Sequence, residues 1–228
     1  MFKERGGKFI VIEGTDGSGK TEQFNRLILR LPEKMRVKSV DFPRYGNQSA
    51  YFVENYLRGR YGENPDPKLA SLFFALDRFD ASMSIKKWLG KGGLVISNRY
   101  TGSNMGYQGG KIRNEDERKK LFLWLYDMEY TLCAIPKPDL NIILYVPAKI
   151  SYELIERKEK RGYLKGARRD IHEASIAHLK NAERAYLEIA ALFPNDFTVV
   201  ECMDHGELLS IEKVHEKVWD IVKKLLKI

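Results

Sequence analysis

Gly14-Thr-Asp-Gly-Ser-Gly-Lys20-Thr21 has the spacing G-x4-G-K-[ST]. The apolar run KFIVIE precedes it and an amphipathic segment follows, the strand-to-helix context in which this spacing cradles phosphate. Gly14, Gly17 and Gly19 let backbone N–H groups turn inward around phosphate oxygens, and the helix N-terminus adds its positive end. Thr15, Asp16 and Ser18 complete the loop. Lys20 is placed to reach the β- and γ-phosphates, and the Thr21 hydroxyl to ligate Mg²⁺. The spacing predicts a bound nucleoside triphosphate.

Two further stretches carry chemistry. In GLVISNRYTGSNMGYQGG (93–110), a buried strand delivers Asn98 and Arg99 into what reads as a loop rich in Gly, Asn and Tyr. Such strands often end in an Asp that helps to hold magnesium; this one ends in an amide. That leaves three readings: a disabled enzyme, a binding module, or an enzyme that needs no carboxylate there. The segment from Arg157 to Arg169 holds seven basic residues against one acid, with Gly162 and Gly166 inside it. A mobile cationic lid of this kind closes over a transferring phosphoryl group, neutralises its charge and excludes water; a solvated basic helix is the plainer alternative.

The elements that must position these groups follow from periodicity. Short apolar strands are predicted at 8–13, 36–41, 94–97, 140–146 and 197–201, and helices at 21–31, 49–58, 67–89, 114–134, 148–161, 170–193 and 210–227. Alternation of strands and helices predicts one three-layer α/β domain over 1–228, a P-loop kinase fold with a five-stranded parallel sheet. The net charge of +8 suits an anionic partner, but it is concentrated in 157–169, whereas nucleic-acid binders spread charge over a face. Cys133 and Cys202 have no metal-ligand spacing and read as packing residues. No apolar run is long enough for a membrane span, and the first residues lack a signal core, so a cytoplasmic protein is expected.

Taken in order, FIVIEGTDGSGKTEQ (9–23), DFPRYG (41–46), LFFALDRF (72–79), NRYTGSNMGYQGG (98–110), IPKPDLNIILYV (135–146) and RRDIHE (168–173) resemble the thymidylate kinase family of nucleoside-monophosphate kinases. The resemblance spans nearly the whole chain. It implies that Asp16 meets the 3′-hydroxyl of the sugar. It implies that the segment Phe42-Pro43-Arg44-Tyr45 holds the acceptor phosphate, with Phe42 and Pro43 shaping the wall and Tyr45 near the phosphoryl groups. Phe74 would stack on thymine, and Arg78 would donate to its exocyclic oxygen. Arg99 would clamp the acceptor phosphate, Asn104 and Gln108 would read the base edge, and Tyr107 would crowd the 2′ position. Arg157, Lys160, Arg161 and Arg168 resemble lid cations, with Asp170 and Glu173 at the lid's base. Lys20, Asp16, Arg99, Arg161 and Arg168 form the implied catalytic set, and Thr21, Asp16 and Glu173 the candidates for the metal side. The resemblance also suggests a homodimer.

The sequence departs from the family at three places. Asn98 stands where Asp is usual, Glu22 follows the P-loop Thr, and Gly17 puts no cation in the loop, so the lid supplies the mobile ones. The implied reaction is transfer from MgATP to dTMP. Its acceptor is a phosphate monoester with a second pKa of about 6, already nucleophilic near pH 7, so no side chain must take a proton. A kinase for dUMP or dCMP, a nucleic-acid-binding P-loop protein and an inactive nucleotide-binding scaffold are the rivals.

Overall fold

β1 (Lys8–Gly14) is apolar on both faces, as a central parallel strand must be. Phe9, Ile10, Val11 and Ile12 are wholly buried in the computed structural model, which describes residues 6–62, 64–162 (backbone alone from 158) and 176–228. Phe9 and Val11 pack with Ile85, Val95 and Tyr100 on one side of the sheet. Ile10 and Ile12 pack with Leu27, Ile96 and Val218 on the other.

Around β1 lie β2 (Val37–Asp41), β3 (Leu94–Asn98), β4 (Leu140–Tyr145) and β5 (Phe197–Glu201), all parallel in the order β2-β3-β1-β4-β5. One face carries α1 (Lys20–Arg30) and α8 (Ile211–Leu226). The other carries α3 (Pro67–Leu89), α4 (Thr101–Gly110), α5 (Glu115–Asp127) and α7 (Ile176–Leu192). α2 (Tyr51–Leu57) packs on α3, and α6 (Ala148–Gly162) on α7. A two-stranded ladder, β6 (Met203–Asp204) with β7 (Glu207–Leu208), precedes α8; periodicity did not predict it, each strand being two residues long.

α3 runs over the residues expected. Asp66 caps it by accepting from Lys68 N at 2.8 Å and Leu69 N at 3.2 Å, and Pro67 occupies the first turn, where its missing N–H is harmless. Two expectations are corrected. The helix expected over 114–134 is α5 followed by one π-helical turn, Met128–Leu132. The glycine-rich stretch after Arg99 is not a loop but α4. Gly102, Gly106 and Gly110 recur every four residues and form one helix face. A Cβ on Gly106 would stand 2.7 Å from the Tyr186 ring, and one on Gly102 2.9 Å from Glu13 Oε1. The glycines are there for close packing, which outweighs their poor helix propensity.

The carboxyl ends of β1, β2 and β3 meet at the mouth of the sheet. Ile12 is in register with Asn98, and Asn98 with Asp41. Ligands of open α/β sheets bind outside these ends.

Candidate active site

The loop after β1 turns through positive φ at Gly14, Gly17 and Gly19. Gly19 leads into α1 without any side-chain cap, so the first N–H groups of α1 remain for an anion. Lys20 is buried, its Nζ donating to Thr15 O at 2.7 Å and lying 3.8 Å from Asp16 Oδ1. Burial, with help from the charge of Arg99, lowers its pKa to about 7. Thr21 is exposed at the start of α1.

Beside this loop lies a half-open cleft with a cavity volume of about 140 Å³. Asp16, Arg99 and Tyr107 wall one end, and Phe42, Pro43 and Tyr45 one side. Phe74, Arg78, Asn104 and Gln108 wall the other end. Leu57, Tyr100 and Ser103, not singled out from sequence, also line it.

At the first end the polar groups satisfy one another. Arg99 Nη2 donates to Asp16 Oδ1, Tyr107 Oη donates to Asp16 Oδ2 at 2.7 Å, and Asp16 N donates to Tyr107 Oη at 2.9 Å. Burial alone would raise the Asp16 pKa, but Arg99, Lys20 and the Tyr107 hydroxyl outweigh it and hold the carboxyl well below its usual range. Burial and the Asp16 charge push the Tyr107 phenol up, so it stays neutral. Arg99 itself sits at φ 64°, in the left-handed region that a non-glycine side chain adopts at some expense. Its N–H donates to Ile12 O at 2.9 Å, and Ser97 Oγ donates to its carbonyl at 2.6 Å.

The other end is organised by an acid that periodicity did not single out. Glu129, in the π-helical turn, is fully buried and accepts from Arg78 Nε at 2.5 Å and Nη2 at 2.7 Å. It also accepts from Asn104 Nδ2 at 3.1 Å, while Ser71 O accepts from the same nitrogen at 3.1 Å. With two acceptors around Nδ2, the orientation of the Asn104 amide is fixed. Its Oδ1 and the Gln108 Oε1 are buried without a hydrogen-bond partner. Phe74 is half-buried, its ring edge-to-face with Tyr56 at 5.8 Å.

Other residues escaped the sequence reading. Glu13, the last side chain of β1, is fully buried and accepts from Tyr100 N at 2.7 Å and Ser103 N at 3.0 Å, tying α4 to the base of the loop. An acid closing an apolar strand was the signal available. Asp41 accepts from Asn98 Nδ2 at 3.0 Å. Arg44 does not line the cleft: Asp77 Oδ1 at 2.9 Å and Ser49 Oγ at 2.6 Å hold its guanidinium against α3. Of the lid residues, Arg157 is exposed on α6, 3.9 Å from Glu153. Lys160 and Arg161 lie on the last turn of α6, described by backbone alone, and Arg168, Asp170 and Glu173 lie outside the described residues.

Comparisons agree on one family. The family model described as thymidylate kinase matches residues 12–218. A thymidylate kinase of Mycobacterium tuberculosis is 30% identical over 185 residues, 80% of this chain and 85% of that protein. A probable thymidylate kinase of Pyrobaculum aerophilum is 33% identical over 187 residues, 80% of this chain and 88% of that protein. A solved structure of thymidylate kinase from Candida albicans superposes with a TM-score of 0.72 at 24% identity, covering 96% of this chain and 92% of that one.

Proposed function

This chain belongs to the thymidylate kinase family, and on that premise we propose that it transfers the γ-phosphoryl group of ATP to dTMP, giving dTDP and ADP. The observation that carries the substrate reading is the fixed amide of Asn104, whose Oδ1 is an unfilled buried acceptor in the cleft wall. Thymine presents N3–H to such an acceptor, with a carbonyl oxygen on either side. Arg78 has Nε and Nη2 committed to Glu129, which leaves Nη1 to donate to a base oxygen. Cytosine has an acceptor at N3 and would face Asn104 Oδ1 with lone pair against lone pair. Stacking on Phe74 accepts any base and adds affinity without choice.

In the mechanism, Asp16 receives the 3′-hydroxyl and Tyr107 fills the space of a 2′-hydroxyl. Arg99 leaves its pair with Asp16 to bind the acceptor phosphate, for which its planar fork is suited. The acceptor oxygen is already a nucleophile, so these residues orient it and need take no proton. Lys20 neutralises charge on the donor phosphates, and the cations of 157–168 complete that role as a lid, with Asp170 and Glu173 in the same segment of sequence.

Among the described residues, no group of three or more His, Cys, Asp or Glu could hold a metal ion. The exposed hydroxyl of Thr21 fits a Mg²⁺ held mostly by phosphate oxygens and water. Bound there, Mg²⁺ would spread the charge of the donor phosphates.

We infer too that the chain is one domain, cytoplasmic and paired with a second copy. Both cysteines are free, in keeping with a reducing compartment, and no helix among the described residues is long and apolar enough to cross a membrane. Leu69, Leu72, Leu76, Phe79 and Met83 are exposed at alternating spacings of three and four on α3, a seam that a second copy would cover. Initial rates of ADP release with dTMP, dUMP and dCMP test the reaction; dTMP is expected to be the best acceptor, and a preference for dCMP overturns the reading.

A further inference from the structure

β2 and β3 end side by side in the mouth of the site, and their last residues are Asp41 and Asn98, partners in register. Asn98 donates its Nδ2 to Asp41 Oδ1 at 3.0 Å. That bond turns the NH₂ towards the carboxylate and leaves the amide oxygen facing elsewhere. Asn98 is 5% exposed, and its Oδ1 has no partner. A buried acceptor left unfilled costs about 1–3 kcal/mol, an expense that native structures accept where a ligand later fills it. Asp41 is exposed, and the cations whose charge reaches it are Arg99 and Lys20. Two acceptors therefore stand together beside the P-loop lysine, one charged and open to solvent, one neutral and buried.

P-loop enzymes set a strand-end carboxylate beside the nucleotide's magnesium. The strand next to β1 offers only an amide there; the carboxylate is on the strand beyond it. We infer that Asp41 supplies this carboxylate, displaced by one strand, and that Asn98 is its positioning partner. Water on the cation donates to the Asp41 carboxylate and to Asn98 Oδ1, which fills both acceptors. The pair carries one negative charge in all. A carboxylate at position 98 facing Asp41 would double that charge at hydrogen-bond distance, and like carboxylates so placed cannot both ionise easily. Exchange of the two residues keeps charge and hydrogen bond alike. A purely structural pair, tying β2 to β3, would alter stability and leave metal affinity alone.

The inference rests on the reading that the nucleotide brings Mg²⁺ to this loop, and the test separates the two. Mn²⁺ replaces Mg²⁺ as the probe. Its binding to the full chain saturated with ADP is followed through the electron paramagnetic resonance of the free ion, and ADP affinity without metal is measured in parallel. Asp41→Asn is expected to weaken Mn²⁺ about tenfold or more, as loss of an outer-sphere partner does, while metal-free ADP affinity does not fall. The exchange Asp41→Asn with Asn98→Asp should return Mn²⁺ affinity to within about threefold of the original chain. Unchanged Mn²⁺ affinity in Asp41→Asn overturns the inference. So does a double variant no better than Asp41→Asn in a chain that melts normally. If the original chain with ADP holds Mn²⁺ no better than ADP alone, the magnesium reading itself has failed.

Discussion

The two ends of the cleft solve opposite problems. At the end proposed for phosphate and sugar, Asp16, Arg99 and Tyr107 are closed on one another, so a ligand bound there would exchange with protein partners. At the end proposed for the base, Glu129 and Ser71 O hold the Asn104 amide nitrogen, Glu129 pairs with two nitrogens of Arg78, and Asn104 Oδ1 and Gln108 Oε1 stay unfilled. Exchange of partners yields little net affinity, because bonds made replace bonds broken. Filling an orphaned acceptor recovers a standing penalty, and a ligand that cannot fill it gains nothing. On the proposed reading, the base end chooses and the phosphate end moves.

The largest effect expected is at the base end. Glu129→Gln leaves Arg78 buried without a counter-charge, which costs about 3–5 kcal/mol of stability in a denaturant titration. A loss below about 1 kcal/mol, the scale of an exposed pair such as Arg30 with Glu216, would show that Arg78 is not held as a buried ion. Next comes Lys20→Ala, which should lower turnover about 10²–10³-fold with the fold intact by circular dichroism. Original turnover in that variant would remove the P-loop from the chemistry. Asn104→Ala should narrow the dTMP-to-dCMP ratio of kcat/KM by about 1–3 kcal/mol, with most of the change in the dTMP value. An equal loss for both nucleotides would make Asn104 a packing residue.

The smallest effect is a proton. Lys20 has its pKa lowered to about 7 and should regain an ordinary value beside phosphate. ADP binding at pH 8 should then take up close to one proton, and less at pH 6, where Lys20 already carries it. Calorimetry in buffers of different ionisation enthalpy reads this directly, and heats independent of buffer at pH 8 would contradict it.

What the sequence disclosed depends on range. The P-loop, β1 and α3 are local patterns: glycines at fixed offsets, an apolar run, a cap of Asp66 and Pro67. Their limits in the structure lie within a residue or so of those expected. α4 was misread because its glycines are a tertiary requirement, visible only as a spacing of four and explained only by Tyr186 and Glu13. Glu129 meets Arg78 across 51 positions, and no periodicity links them. Arg44 shows the reverse: its place in DFPRYG suggested the cleft, but Asp77 and Ser49 claim it. Ten of the eleven residues assigned to substrate from the family pattern share one cleft.

α4 turns the fold into a ruler. Its glycines at 102, 106 and 110 lie close against its neighbours, while Ser103, Asn104, Tyr107 and Gln108 mark off the cleft in steps of one turn, about 5.4 Å each. On the proposed reading, the spacing between Tyr107 at the sugar and Asn104 at the base is therefore set by a helix, about 4.5 Å of rise over three residues. A single methyl added behind that helix, at Gly106, would displace every graduation at once. Under the proposed function, selectivity is held as much by side chains that are missing as by those that would touch the nucleotide.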